Sequence, residues 1–171
     1  PIEYQNHIFD QLMEAGKEFG LKPYGIRAMN SLRVEKSYKL VGTELSIEYS
    51  PYESGLDRFV HPNKGDFIGR AALDKWRAKG FSNKLVTMEI HGITDADVLG
   101  NNPIYDNGSV VGRATSGDFG FRLNKSIALG MIKPELAKVG QKLKIDILGK
   151  MHEVSIVEDS PYDAENKLLR A

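Results

Sequence analysis

The sequence predicts an α+β protein in which helices and irregular connections come first and a small antiparallel β-barrel or sandwich follows. Two observations support this prediction. In the first part, apolar residues recur every three or four positions, which is the spacing that places side chains on one face of a helix. In the second part, apolar residues alternate with polar ones, and short turn signals separate the segments, as in antiparallel strands. The character changes near residue 82.

Three helices are predicted in the first part. The first covers residues 3–20, where the apolar positions share one face. A short second helix begins near Ile26 and ends between residues 35 and 38. The third has Asp66 as its N-cap and stops at Gly80, because glycine adopts the left-handed conformation that commonly ends helices.

The second part is predicted to consist of short strands joined by hairpins. Asn107-Gly108 and Gly149-Lys150 are the predicted turns, because such pairs tolerate the positive φ of a tight hairpin. The glycine-rich stretch 112–121 could be a phosphate cradle, but it lacks the spacing of known phosphate-binding loops. We therefore favour a bulged strand there. The other predicted strands cover residues 85–90, 104–105, 110–111, 126–132, 143–147 and 152–157.

Composition excludes several classes of function. The 23 basic and 23 acidic residues balance, which gives no reason to expect nucleic acid or an anionic membrane as a partner. No apolar run approaches the roughly 20 residues that span a bilayer. The absence of cysteine excludes disulfides, thiolate metal sites and a cysteine nucleophile. The chain opens at Pro1 and enters a helical pattern at once, so we expect it to come from within a longer protein.

The residues alone predict no self-contained active site. No nucleophile-elbow pattern occurs, and Arg33, Glu35 and Lys36 are expected to form structural ion pairs. The histidines have no metal-ligand spacing and are expected on the surface or in structural roles. They are His7, His61, His91 and His152.

Six segments in sequence order carry a resemblance to a known family. They are RAMNSLRVEK (27–36), GTEL (42–45), SPYESGL (50–56), GDFIGRAAL (65–73), the set NGSVVG, TSG and IALG (107–112, 115–117 and 127–130), and SPYD followed by NK (160–163 and 166–167). Together they resemble the glycine-cleavage T-protein-like aminomethyltransferases. The version of these motifs in the dimethylglycine and sarcosine dehydrogenase branch is the most similar.

The resemblance implies a fold and a set of site residues. Residues 1–82 would be the second half of a folate-binding domain, and residues 83–171 its C-terminal β-barrel domain. The catalytic aspartate and the glutamate that holds the pterin would lie upstream, so no catalytic residue and no metal ligand is expected in this chain. Four cofactor-binding positions are implied: Met29 in place of a folate-contacting arginine, Asn30 beside it, Arg58 in place of an aromatic that packs on the pterin, and Tyr162 near the folate tail.

The implied function belongs to a larger protein. A flavin domain outside this chain, carrying FAD, would oxidise a small N-methyl amine, and the one-carbon unit would pass to tetrahydrofolate. The upstream half of the folate domain would be the partner of this chain, which we expect to be inactive alone. The location would be the bacterial cytoplasm or the mitochondrial matrix of a eukaryote. The alternatives are a stand-alone aminomethyltransferase or demethylase and a non-catalytic scaffold module.

Overall fold

A computed structural model describes residues 1–93 and 95–171. Across these residues, six antiparallel strands close into a barrel in the order β1-β4-β3-β2-β5-β6. The predicted α+β class with a small antiparallel barrel is therefore confirmed. The strands are β1 (Lys84–Ile90), β2 (Pro103–Asp106), β3 (Ser109–Gly120), β4 (Lys125–Ile132), β5 (Lys142–Ile147) and β6 (Lys150–Val157).

The barrel is built on alternation. In β5 the buried Leu143, Ile145 and Ile147 alternate with more exposed polar residues, so every second side chain enters the interior. Strand β4 differs, because all of its residues after Lys125 are buried. The outer face of β4 contacts a helix of the first part, and a strand covered on both faces is apolar throughout.

Both predicted hairpins are present, and one is displaced by a residue. Asn107 and Gly108 have φ of 47° and 80°, so they form the turn between β2 and β3 as predicted. The second turn is centred on Leu148 and Gly149, with φ of 51° and 79°, rather than on Gly149 and Lys150. The reason is local: Asp146 Oδ1 accepts the Gly149 N–H at 2.8 Å, and residue 150 already begins β6.

The glycine-rich stretch is a bulged strand, as favoured above. The register of β3 against β4 shifts between Ala114 and Ser116. At Gly117 an added Cβ would lie 2.6 Å from Cβ of Val98, so the glycine permits a close approach of two segments. These residues form part of the barrel wall, in which backbone groups pair with the neighbouring strand.

The helices agree with the predictions in number and differ in extent. They are α1 (Gln5–Ala15), α2 (Ile26–Glu35) and α3 (Arg70–Lys79). The first ends at Ala15 instead of residue 20, because the chain changes to a 3₁₀ turn after Gly16. The predicted N-cap at Asp66 is wrong. Gly69 has φ of 93° and interrupts the helical path, so α3 begins only after it, and Asp66 accepts the N–H of Phe67.

Of the three helices, α2 packs against the barrel. It buries Ser31, Val34 and Glu35 and contacts β3 and β4. In contrast, α1 and α3 bury no residue. The apolar side chains of α1 are exposed, and Leu12, for example, is 58% exposed. None of the described helices combines the length and the apolar character that a membrane crossing requires.

Candidate functional site

A groove lies between α2 and the C-terminal segment, which we define as residues 160–169. Its volume is about 400 Å³. Met29 and Leu32 of α2 line one side, and Tyr162 and Leu168 of the C-terminal segment line the other. We call this feature the α2 groove. It combines apolar and aromatic walls with charged groups at its edge, which is typical of a site for an amphipathic small molecule.

Two polar side chains attach α2 to the barrel. Ser31 Oγ donates to the carbonyl oxygen of Phe119 at 2.6 Å. Asn30 Nδ2 donates to the carboxylate of Asp118 at 2.8 Å and to the carbonyl oxygen of Gly117 at 3.2 Å. Because all three acceptors belong to β3, they fix the face that α2 turns toward the barrel. The opposite face, with Met29, is left for the groove.

Glu35 at the end of α2 holds the turn between β3 and β4. Its side chain is only 1% exposed, and Oε1 accepts the backbone N–H groups of Arg122 at 2.7 Å and Leu123 at 3.2 Å. A buried carboxylate needs such partners, because burying a charge without hydrogen bonds costs on the order of several kcal/mol. Glu35 is therefore a structural anchor, and it brings Arg122 to the rim of the groove.

The ammonium group of Lys36 binds the C-terminal segment. Lys36 Nζ donates to the carbonyl oxygens of Tyr162 at 3.1 Å and Asp163 at 2.6 Å, and to Oδ1 of Asn166 at 2.7 Å. The backbone N–H of Tyr162 donates to the carbonyl oxygen of Glu35 at 3.0 Å. The end of α2 thus holds the segment that forms the opposite wall.

The carboxylate of Asp163 has a lowered pKa. Desolvation opposes its ionisation, but the backbone N–H groups of residues 167–169 and the charge of Lys36 together outweigh this effect and hold the pKa below the usual 3.8. Asp163 therefore stays ionised and folds the last residues back toward the groove, with hydrogen bonds to Leu168 and Leu169.

Arg122 and Tyr162 meet at the open edge. Arg122 Nη1 donates to the hydroxyl of Tyr162 at 2.6 Å, and the guanidinium carbon lies 5.1 Å from the ring centroid. The Arg122 side chain is exposed, so its other N–H groups face solvent at the groove. A guanidinium in this position can bind a carboxylate or phosphate of a ligand.

The structure brings together two of the four predicted cofactor-binding residues. Met29 and Tyr162 both line the α2 groove. Asn30 sits next to Met29 but points to β3, where it bonds Asp118. Arg58 lies in a 3₁₀ turn at residues 57–59 and stacks on the ring of Phe59 at 4.7 Å, away from the groove lining.

Sequence reasoning missed Arg122, and it treated Lys36 only as a member of an ion pair. Arg122 bonds a residue 40 positions away, and Lys36 bonds residues more than 100 positions away. Periodicity in the sequence does not indicate contacts of this kind. The turn 121–124 between two predicted strands was the one available signal, because turns at strand ends often carry ligand contacts.

The glutamates of two family motifs are also structural. Glu44 is fully buried, accepts the backbone N–H of Leu40 at 2.8 Å and the hydroxyl of Ser116, and pairs with Arg33 at 3.6 Å. The structural ion pair expected for Arg33 is therefore present. Glu53 accepts the N–H groups of Ser50, Ser82 and Asn83, at distances of 3.0 to 3.3 Å. These carboxylates hold the irregular connections of the first part against the start of the barrel.

In the part of the chain that the structure describes, acidic and histidine side chains do not cluster into a metal site. Within residues 1–93 and 95–171, no group of three or more such side chains could hold a metal ion. His91 instead bonds the hydroxyl of Ser155 at 2.9 Å on the barrel surface. The α2 groove is lined by apolar, aromatic and cationic groups, which suit the binding of a ligand.

Comparison with known proteins identifies the family. The model of the glycine cleavage T-protein C-terminal barrel domain matches residues 83–163. The model of the GCVT N-terminal domain matches residues 1–64. The chain belongs to the glycine cleavage T-protein family. A solved T-protein has the same fold: the crystal structure of glycine cleavage system aminomethyltransferase T from Bartonella henselae aligns with a TM-score of 0.82 and 23% identity over 96% of this chain and 45% of that one.

Curated relatives of this T-protein family member include two kinds of enzyme. Mitochondrial dimethylglycine dehydrogenase of Homo sapiens is 39% identical over 89% of this chain and 18% of its own length. The aminomethyltransferase of Synechocystis sp. is 38% identical over 92% of this chain and 42% of its own length. The chain therefore spans less than half of the length of these relatives.

Proposed function

We propose that this chain supplies one wall of a tetrahydrofolate site in a folate-dependent one-carbon enzyme. The observation that carries the proposal is the α2 groove, which is lined by Met29 and Tyr162 and has Arg122 bonded to Tyr162 at its edge. The T-protein family and both kinds of relative belong to one-carbon metabolism that uses folate.

The groove fits part of a folate. Met29 and Leu32 offer an apolar surface and Tyr162 an aromatic one, which suits the flat rings of the ligand. The guanidinium of Arg122 suits the carboxylates of its glutamate tail. The carboxylates at the groove, Glu35 and Asp163, are already bonded to backbone N–H groups. We infer that the carboxylate for the pterin comes from the upstream half of the folate domain, the proposed partner of this chain.

The residues of this chain would bind and orient, without transferring protons. Tetrahydrofolate, when bound, supplies the nitrogen nucleophiles that take up the one-carbon unit. Met29 and Tyr162 would exclude water from one side of the ligand, and Arg122 would orient its tail. We propose that the aspartate promoting transfer lies upstream, so the 171 residues alone are inactive.

The relatives support two forms of the whole protein. In the first, a separate domain with FAD oxidises a small N-methyl amine such as dimethylglycine or sarcosine, in keeping with the similarity to dimethylglycine dehydrogenase. In the second, the protein is an aminomethyltransferase or demethylase without flavin, in keeping with the similarity to aminomethyltransferases. The flavin absorbance of the intact protein separates the two forms. The first form is the one we propose.

Three further parts of the proposal concern organisation and position. The first is a boundary between two units near residue 82. The second is a location in the mitochondrial matrix for a eukaryotic source or in the cytoplasm for a bacterial one. The third is a pterin contact for Arg58, which the family resemblance implies; its side chain is exposed beside the ring of Phe59, outside the α2 groove.

A charge placed in the apolar wall tests the proposal. Met29→Asp in the intact protein should weaken tetrahydrofolate binding about tenfold or more, since a carboxylate opposes apolar contact and repels the acidic tail. Met151→Asp is the matched control, because Met151 is a similarly exposed methionine on the far strand β6. Titration of both variants gives the dissociation constants. Equal losses in both, or no binding by the unmodified protein, would refute the proposed site.

A further inference from the structure

We propose that Lys36 is a positioning residue, which holds Tyr162 in place as the second wall of the α2 groove. Its action on a ligand rests on the proposed folate site, whereas its action on the C-terminal segment does not. Lys36 would touch neither the folate rings nor the transferred carbon. It would act through the residues to which its ammonium group is bonded.

The ammonium group of Lys36 has a complete set of acceptors. Its three N–H donors match three oxygens, those of the Tyr162 and Asp163 carbonyls and of the Asn166 side chain, all within 3.1 Å. The carboxylate of Asp163 lies 4.0 Å from Nζ and balances the charge. The Lys36 side chain is only 13% exposed. Loss of the ammonium group would leave three oxygens without this donor in a poorly hydrated place.

The C-terminal segment follows a path in which several residues have left-handed backbone, and the anchor helps to hold this path. Ser160, Asp163 and Asn166 have φ of 56°, 47° and 56°. Residues other than glycine adopt this left-handed region at a cost, and they keep it where surrounding contacts require it. Lys36 bonds two of these three residues directly. The bonds therefore stabilise the path of the segment.

The same contacts determine where the Tyr162 ring lies. The Tyr162 N–H donates to the Glu35 carbonyl at 3.0 Å, and the Tyr162 carbonyl accepts from Lys36. With both backbone groups of one residue held by the end of α2, the side chain is directed across the groove to Arg122. Arginine in place of Lys36 would not form the same bonds, because the donors of a planar guanidinium do not converge on three clustered oxygens.

Lys36→Met tests this role, because methionine keeps the length and removes the donors. In the intact protein we expect the amides of residues 162–169 to exchange hydrogen at least about tenfold faster, and tetrahydrofolate to bind about tenfold more weakly, as the loss of one charged hydrogen-bonded anchor predicts. Exchange of the β4 amides should be unchanged. Lys125→Met, which removes an exposed salt bridge with Glu89 at 2.8 Å, is the control. It should change neither the exchange of residues 162–169 nor the binding of tetrahydrofolate.

A double-mutant cycle with Tyr162→Ala separates positioning from a general loss of stability. If Lys36 acts through Tyr162, the double variant binds tetrahydrofolate no more weakly than Tyr162→Ala alone. Additive losses, or unchanged exchange in residues 162–169, would overturn the proposal. If the unmodified protein binds no tetrahydrofolate, the proposed function fails, and with it only the effect of Lys36 on a ligand. Faster exchange in residues 162–169 of the Lys36→Met variant would still show that Lys36 holds Tyr162 and the C-terminal segment in place.

Discussion

Arg122 and Tyr162 join the β3–β4 turn to the C-terminal segment: Nη1 of Arg122 donates to the tyrosine hydroxyl at 2.6 Å. The two residues are 40 positions apart, and each is held by the same helix residue. Glu35 accepts the backbone N–H of Arg122 through its carboxylate and that of Tyr162 through its carbonyl. The groove edge thus depends on the end of α2, where backbone and side chain of one glutamate bind two distant segments.

Removing the charge of Arg122 should weaken the binding of a ligand with an acidic tail. For Arg122→Gln we expect a loss of about 1 kcal/mol, or roughly fivefold, which is the range for an exposed ionic contact. The loss should shrink at high salt, because salt screens exposed charges. Titrations of tetrahydrofolate at two salt concentrations measure it. Arg27→Gln, at an exposed arginine paired with Asp97, is the control, and an equal loss there would argue against a specific role.

Removing the buried carboxylate of Glu35 should destabilise the protein. Glu35→Ala leaves the N–H groups of Arg122 and Leu123 without their acceptor, at an expected cost of about 1–3 kcal/mol in the free energy of unfolding. Urea denaturation measures the change. Glu153→Ala removes an exposed glutamate of β6 and should change the free energy of unfolding by less than about 0.5 kcal/mol. Similar values for both variants would contradict the anchor role of Glu35.

An added methyl group at Gly117 should disturb the barrel wall. The new Cβ would lie 2.6 Å from Cβ of Val98, so the backbone of one segment must move. We expect Gly117→Ala to lower the free energy of unfolding by about 1–3 kcal/mol, as overpacking does. Gly25→Ala is the control, since nothing lies within 4 Å of its Cβ position. Thermal denaturation of both variants gives the comparison. An unchanged stability of the Gly117→Ala variant would show that the backbone at the bulge moves at little cost.

Acid should release the C-terminal segment. The folded-state pKa of Asp163 is lowered below 3.8, so its contribution to stability is present above about that pH and is lost as the pH falls through the folded-state value. We expect proteolysis within residues 162–169 to accelerate in this acid range, as measured with an acid-active protease. Asp163→Asn should be cut faster already at neutral pH and should show a weaker acid dependence. An identical pH profile for the variant would exclude this carboxylate as the cause.

Local signals predicted much of the barrel. The Asn107-Gly108 turn and the alternating pattern of β5 depend on short-range rules, namely positive φ in a tight turn and a period of two in a strand. The errors also have local causes. Gly69 delays α3, and the turn after β5 is centred one residue earlier, because an aspartate side chain bonds the turn backbone.

The sequence by itself determined the α+β class, the hairpin at Asn107 and the family motifs, because each depends on neighbouring residues or on a recognisable order of segments. Only the tertiary structure decided which polar residues meet. It placed Met29 and Tyr162 in the lining of one groove, turned Asn30 toward Asp118, and used Lys36 to hold a segment more than 120 positions away. The physical reason is that such contacts follow from the closure of the barrel and the packing of α2 on it, and pairings across a fold leave no periodic trace in the chain.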